Sequence, residues 1–154
     1  MEIERKFLIP RLPDGYEKYH CLEIEQGYLS TSPVVRVRRQ GDSFYLTYKS
    51  AGLLARQEYN LSLTEESYLH LRAKCDGNLI AKTRYLLPVP GETSLTVELD
   101  VFHGAYEGLF LAEVEFPSVE AAEGFTPLSW FGEDVTMSGR YQNSRLSAIN
   151  PRDL

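Results

Sequence analysis

Charged residues fall on every second position of one candidate strand after another, and this parity limits what the chain can fold into. The series opens at Glu2, Glu4 and Lys6, with Ile3 and Phe7 on the other parity. Residues two apart in an extended strand share a face, so three ionised groups point one way and the apolar side chains the other. Arg36 and Arg38 then alternate with Val35 and Val37, and Tyr45, Thr47 and Lys49 with Phe44, Leu46 and Tyr48; Arg56, Glu58 and Asn60 continue the pattern. Lys82 and Arg84 are two apart, Glu98 and Asp100 alternate with Val97, Leu99 and Val101, and Glu113 and Glu115 flank Val114.

Any one of these pairs has an ordinary explanation, because an antiparallel sheet with one wet face reads apolar-in and polar-out. The set as a whole is different. Solvent faces carry many Ser, Thr and Gln, whereas here opposite charges concentrate on a single parity. An enclosed, charged interior accounts for the series better than a solvated face does.

With 154 residues, 43% of them hydrophobic and 25% charged, the chain reads as one globular domain, 1–154, long enough to bury a core. A net charge of −6 and the lack of a Lys/Arg block argue against a general binder of duplex nucleic acid. Cys21 and Cys75 are too few for a disulfide framework or a Cys-rich zinc site, and His20, His70 and His103 lack metal-ligand spacing. No run resembles a signal peptide or a membrane span, so a cytoplasmic location without membrane attachment is the default expectation.

Strands are expected near Glu2 to Ile9, Tyr19 to Leu29, Val34 to Gln40, Phe44 to Ser50, Arg56 to Leu63, Asn78 to Leu87, Ser94 to Phe102 and Leu109 to Phe116. Gly41-Asp42-Ser43 reads as a hairpin turn, with further turn-rich links at Pro88 to Glu92 and His103 to Gly108. Thr64 suits the cap of a helix running to about Cys75, with Glu65 and Glu66 in its first turn and Gly77 at its exit. Tyr68, Leu69, Leu71 and Arg72 give that helix a covering side. A short helix is expected from Ser118 to Gly124, and a last one from Thr136 through Ala148, with Tyr141, Leu146 and Ile149 as packing residues.

Eight mostly antiparallel strands in so short a chain suggest a closed barrel, since closure removes edges and creates an inside. The fold class is therefore mainly β: an antiparallel barrel with a charged interior and flanking helices. Ile3, Phe7, Val35, Val37, Val97 and Leu99 then face outward and require cover. A tunnel lined by both signs is tolerable only if its charges are paired, hydrated or occupied by ligand. Arg36, Arg38, Lys49, Arg56, Lys82 and Arg84 suit a multiply charged anion, and Glu2, Glu4, Asp100, Glu113 and Glu115 suit a hard divalent cation. The ligand implied is a short polyphosphate.

Glu2-Ile3-Glu4-Arg5-Lys6 resembles the ExExK signature of the CYTH superfamily, the triphosphate tunnel metalloenzymes, and the resemblance spans nearly the whole chain. It is carried further by Gln26-Gly27-Tyr28-Leu29, Arg36-Val37-Arg38, Tyr48-Lys49-Ser50, Arg56-Gln57-Glu58, Lys82-Thr83-Arg84-Tyr85, Glu98-Leu99-Asp100, Ala112-Glu113-Val114-Glu115 and Arg140-Tyr141-Gln142-Asn143. The resemblance implies an eight-stranded antiparallel tunnel that binds triphosphates with Mg²⁺ or Mn²⁺, two ions acting during catalysis. Short bacterial members, inorganic tripolyphosphatases that release phosphate from tripolyphosphate, look most similar.

Transferred to this chain, the resemblance gives the metal role to Glu2, Glu4, Glu113 and Glu115, with Asp100 a further ligand or a partner behind them. Lys6, Arg36, Arg38, Lys49, Arg56 and Arg84 fix phosphate oxygens, arginine through its planar fork and lysine as a movable point charge. Lys82 and Tyr28 occupy the motifs to which a catalytic Lys and Tyr pair belongs. Neighbouring cations would lower the pKa of Lys82 and suit it to accept a proton; the plainer alternative is a phosphate contact.

Four rivals stay open. Cyclisation of ATP uses similar machinery, but the cyclases resemble one another in carrying residues ahead of ExExK, often His-Phe, where Met1 directly precedes Glu2 here. Thiamine triphosphate would need an aromatic shelf, for which only Trp130 and scattered tyrosines are available. A non-catalytic polyphosphate-binding module, or a lipocalin-like barrel with its charges outside, completes the set, and a homodimer is left open.

Overall fold

The alternating segments pair as their parity requires. In a computed structural model describing residues 1–154, nine strands form one antiparallel sheet. They are β1 (Glu2–Leu8), β2 (Cys21–Thr31), β3 (Val34–Gln40), β4 (Ser43–Lys49), β5 (Ala55–Arg56), β6 (Glu58–Ser62), β7 (Asp76–Val89), β8 (Glu92–His103) and β9 (Phe110–Glu115). The order is β5-β1-β9-β8-β7-β2-β3-β4-β6. Its two ends, β5 and β6, are separated only by Gln57, so this bent stretch pairs with β1 on one side and β4 on the other and nearly closes the ring. The count exceeds the expected eight because that one stave is broken in two.

Directly paired residues of an antiparallel ladder point to the same face. Lys6 opposes Glu113, which opposes Glu98; Arg84 opposes Asp100; Tyr28 opposes Arg36; Gln26 opposes Arg38; Lys49 opposes Glu58; and Glu2 opposes Arg56. The charged parity therefore shares one face around the ring, and that face is the inside. On the outside, Ile3, Phe7, Val97, Leu99, Ala112 and Val114 are buried in one cluster. Cover comes from α2 (Val119–Gly124), capped by Ser118, and from Phe125, Leu128, Trp130 and Phe131 in the loop that follows. Tyr68 of α1 (Glu65–Arg72) is buried and bonds Glu25 through its hydroxyl at 2.7 Å, while Thr64 accepts from Ser67 N as the cap. Leu69 stays exposed, and the outer face of β4 and β6 is bare at Tyr48, Tyr59 and Leu61, so cover is less complete than the sequence suggests.

The inward parity is not charged along its full length. Leu8 lies two beyond Lys6, Ile80 two before Lys82, Phe102 two beyond Asp100 and Leu111 two before Glu113. Because neighbouring strands are antiparallel, all four fall at one end of the barrel. There they meet Val135, Tyr106 and Leu146 in a second buried cluster, which forms an apolar floor. Leu146 belongs to α3 (Asn143–Ala148), and its carbonyl accepts from both Tyr106 Oη (2.6 Å) and Asn78 Nδ2 (3.2 Å). The helix expected from Thr136 begins only at Asn143. Gly139 takes φ 69, the Ser138 hydroxyl bonds nearby backbone in competition with the helix ladder, and Thr136 is held on β1, its hydroxyl accepting from Lys6 N at 2.9 Å.

Candidate active site

Inside the barrel above this floor lies a cavity of about 380 Å³. Glu2, Glu4 and Lys6 reach it from β1, Tyr28 from β2, Arg36 and Arg38 from β3, and Lys49 from β4. Arg56, Glu58 and Arg84 follow, with Glu98, Glu113 and Glu115 from β8 and β9. Asn143 and Ser144 at the start of α3 line it across the floor; Val34 is its only wholly apolar lining side chain, and Tyr28 and Tyr45 add aromatic rings with polar hydroxyls. Trp130 packs outside the barrel against Phe131, so it supplies no shelf for a ring.

The two signs are unequally matched. Lys49 Nζ lies 3.0 Å from Glu2 and 3.3 Å from Glu58, Arg56 reaches Glu2 at 3.4 Å, and Lys6 reaches Glu113 at 3.3 Å. Arg84 grips Asp100 through two nitrogens (2.7 and 2.9 Å) and also touches Glu98 (3.0 Å) and Glu113 (3.4 Å). Burial works to raise the pKa of Glu113, but Lys6, Arg84 and Lys82 outweigh it and hold this carboxyl well below its ordinary range.

Arg36 and Arg38 take part in no ion pair. Both are buried; Arg36 bonds only Thr47 Oγ1 (3.2 Å), and its Nε has no partner. Arg38 donates to the neutral amides of Gln26 (2.7 Å) and Gln40 (3.5 Å). Burial, with Arg36 and Arg84 nearby, lowers its pKa to about 10, so it remains charged at neutral pH. Two adjacent buried guanidinium groups without a carboxylate are chemically suited to an external anion.

The opposite excess sits at Glu4, which makes no ion pair. Burial, then Glu113 and Glu2, raise its pKa to about 8. Glu115 is raised too, by burial and by Glu2 and Glu58. A buried carboxyl crowded by further carboxylates suits the charge and oxygen preference of a hard divalent cation. As the side chains stand, no three acidic or histidine groups converge on a common point, because Glu2, Glu58, Glu98 and Glu113 face lysine and arginine.

Lys82 and Asp100 are brought together but do not line the cavity. Their side chains are fully enclosed, Lys82 Nζ lies 2.6 Å from Asp100, and Asn143 Oδ1 accepts from it at 3.0 Å. The amine also lies 5.3 Å from the centre of the Phe102 ring, where charge meets the apolar floor. Burial pulls Lys82 down to about 7, against the attraction of Asp100 and with Arg84 and Arg38 assisting. Gln26, Gln40, Tyr45, Glu58, Asn60, Glu98, Asn143 and Ser144 also belong to the wall or its network, although none was among the candidates from sequence. Parity alone points to Tyr45, Glu58, Asn60 and Glu98.

Residues 1–145 match the CYTH domain model. The chain is 42% identical to an inorganic triphosphatase of Nitrosomonas europaea over 153 residues, which is 97% of this chain and 99% of that one. It is 35% identical to an inorganic triphosphatase of Acetivibrio thermocellus over 150 residues, covering 94% of this chain and 92% of that one. The crystal structure of the inorganic triphosphatase NE1496 superimposes with a TM-score of 0.73 at 39% identity, across 97% of this chain and 95% of that one.

Proposed function

The chain belongs to the CYTH domain family, and on that premise we propose that its cavity hydrolyses a triphosphate, foremost inorganic tripolyphosphate to pyrophosphate and phosphate, in a cytoplasmic setting. One observation carries the reading. Arg36 and Arg38 lie buried without a carboxylate, Arg36 Nε has no partner at all, and they share a cavity with six glutamates. That division suits a polyanion accompanied by a divalent cation. The almost wholly polar wall, with Trp130 outside it, favours an inorganic chain over a thiamine or nucleoside ester.

Glu2, Glu4, Glu113 and Glu115 would hold Mg²⁺ or Mn²⁺, two ions in the full site, with Asp100 behind them restraining Lys82 and Arg84. When bound, the cation supplies neutralisation of phosphate charge and Lewis acidity toward water. The residues of this chain do the rest. Arg36 and Arg38 clamp phosphate oxygens in forks, and Lys6, Lys49, Arg56 and Arg84 exchange glutamate partners for the substrate as it enters. Held in this way, the chain is aligned for in-line attack and its equatorial oxygens are neutralised. Tyr28 touches the substrate from the wall. Lys82, poised near neutrality, is the candidate proton acceptor once its amine turns from Asp100.

The test is product analysis of the purified protein with tripolyphosphate, ATP and thiamine triphosphate in the presence of Mg²⁺ or Mn²⁺. The proposal expects orthophosphate and pyrophosphate from tripolyphosphate at the highest kcat/KM. Cyclic AMP as the main product would replace it with a cyclase, and tight binding without turnover of any of the three would leave a binding module.

A further inference from the structure

The direction of one hydrogen-bond chain in the cavity wall is dictated by chemistry. Arginine has donors only. Arg38 Nε lies 2.7 Å from the Gln26 side-chain oxygen, so the amide carbonyl must face Arg38 and the NH₂ must face the other way. On that side Gln26 Nε2 donates to the Tyr28 hydroxyl oxygen at 3.2 Å. A phenol that accepts from an amide keeps its own proton for a different acceptor. Gln26 is completely buried, so solvent does not compete for either of its bonds, and Tyr28 makes no other side-chain hydrogen bond.

The second phenol of the wall has the opposite polarity. Gln40 Oε1 faces Arg38 Nη1 at 3.5 Å and accepts from Tyr45 Oη at 2.7 Å, so the proton of Tyr45 is already spent inside the protein. Both tyrosines line the same cavity, yet only one has a proton to offer a ligand.

We propose that Gln26 is a positioning residue that fixes Tyr28 as a hydrogen-bond donor to an oxygen of the bound phosphate chain, while its carbonyl steadies Arg38 on the same ligand. Arg38, Gln26 and Tyr28 act as one relay of fixed direction. Tyr28 thereby serves phosphate charge and does not accept a proton from the attacking water. This inference rests on reading the cavity as a triphosphate site.

A double-mutant cycle between Gln26→Glu and Tyr28→Phe tests it, with two readouts: kcat for tripolyphosphate hydrolysis, and calorimetric binding of tripolyphosphate without metal. The new carboxylate still accepts from Arg38 but offers Tyr28 an acceptor and draws its proton inward. In the presence of Tyr28, Gln26→Glu should lower kcat and affinity about tenfold more than it does beside Phe at position 28, as loss of one charge-assisted hydrogen bond requires. The added negative charge is common to both backgrounds and cancels. Equal losses in the two backgrounds, in both readouts, would overturn the proposal. If Gln26→Glu does not fold, the single variants decide. Tyr28→Phe should weaken tripolyphosphate binding more than Tyr45→Phe, and the reverse order would overturn the assignment. Absence of hydrolysis in the unmodified protein would instead remove the proposed reaction, with the binding cycle still readable.

Discussion

At the scale of single residues, Glu4 and Lys82 show how the barrel sets charge. Glu4 keeps its proton to about pH 8, well above its ordinary value of 4.5. Between those limits the unfolded chain has lost a proton that the folded one retains, so metal-free stability falls as pH rises through this window. Lys82, lowered from 10.5 to about 7, works in the opposite sense from about pH 7 upward. Glu4→Gln should therefore melt higher than the unmodified protein at pH 8 in chelator, with the gap closing toward pH 5. A lower melting temperature at pH 8 would mean that burial and its carboxylate neighbours do not hold the proton on Glu4. Lys82→Met should lower kcat by at least about a hundredfold while tripolyphosphate affinity holds, as loss of a general base requires; normal turnover would reduce Lys82 to the structural partner of Asp100. Parity marked both residues in the sequence. That Lys82 stands behind the cavity wall was not legible, because its depth is set by Asn143, 61 positions away, and by the Phe102 ring.

At the scale of elements, α3 does more than close the chain. It forms part of the cavity floor, and its carbonyls are tied to β7 and to the turn around Tyr106. Gly77 at the start of β7 takes φ 67, and a side-chain carbon there would collide with the Ser147 carbonyl oxygen of α3. Gly77→Ala should cost about 1–3 kcal/mol in urea melts and reduce activity in parallel, because the floor moves with the strand. Unchanged stability would show that α3 is not seated as described. The strands were readable to within a few residues because alternation and turn residues agree from Glu2 to Glu115. The floor had a signal too: Leu8, Ile80, Phe102 and Leu111 extend the inward parity past the last charge of each strand. A reading confined to charge stops short of them. The last helix starts later than expected because Gly139 and the Ser138 hydroxyl are local competitors and Thr136 is held by the distant backbone of Lys6, none of which periodicity weighs.

At the scale of the whole molecule, the barrel holds two unbalanced charge groups in one cavity of about 380 Å³. The apolar outer wall and floor raise the cost of leaving either group unmatched, which explains why the protonation of Glu4, Lys82 and Arg38 is displaced. Loading a polyanion on the arginine side and a divalent cation on the glutamate side satisfies both groups at once. Neutral members of the wall such as Gln26, Gln40 and Asn143 were hard to single out from sequence because they carry no charge; their importance lies in which way they aim their partners. The most direct measurement of this account is phosphate release from tripolyphosphate with Mg²⁺ and with excess chelator, for the unmodified protein and Glu4→Gln. The account predicts release only from the unmodified protein with Mg²⁺ present. Equal release in chelator, or full activity in Glu4→Gln, would contradict it.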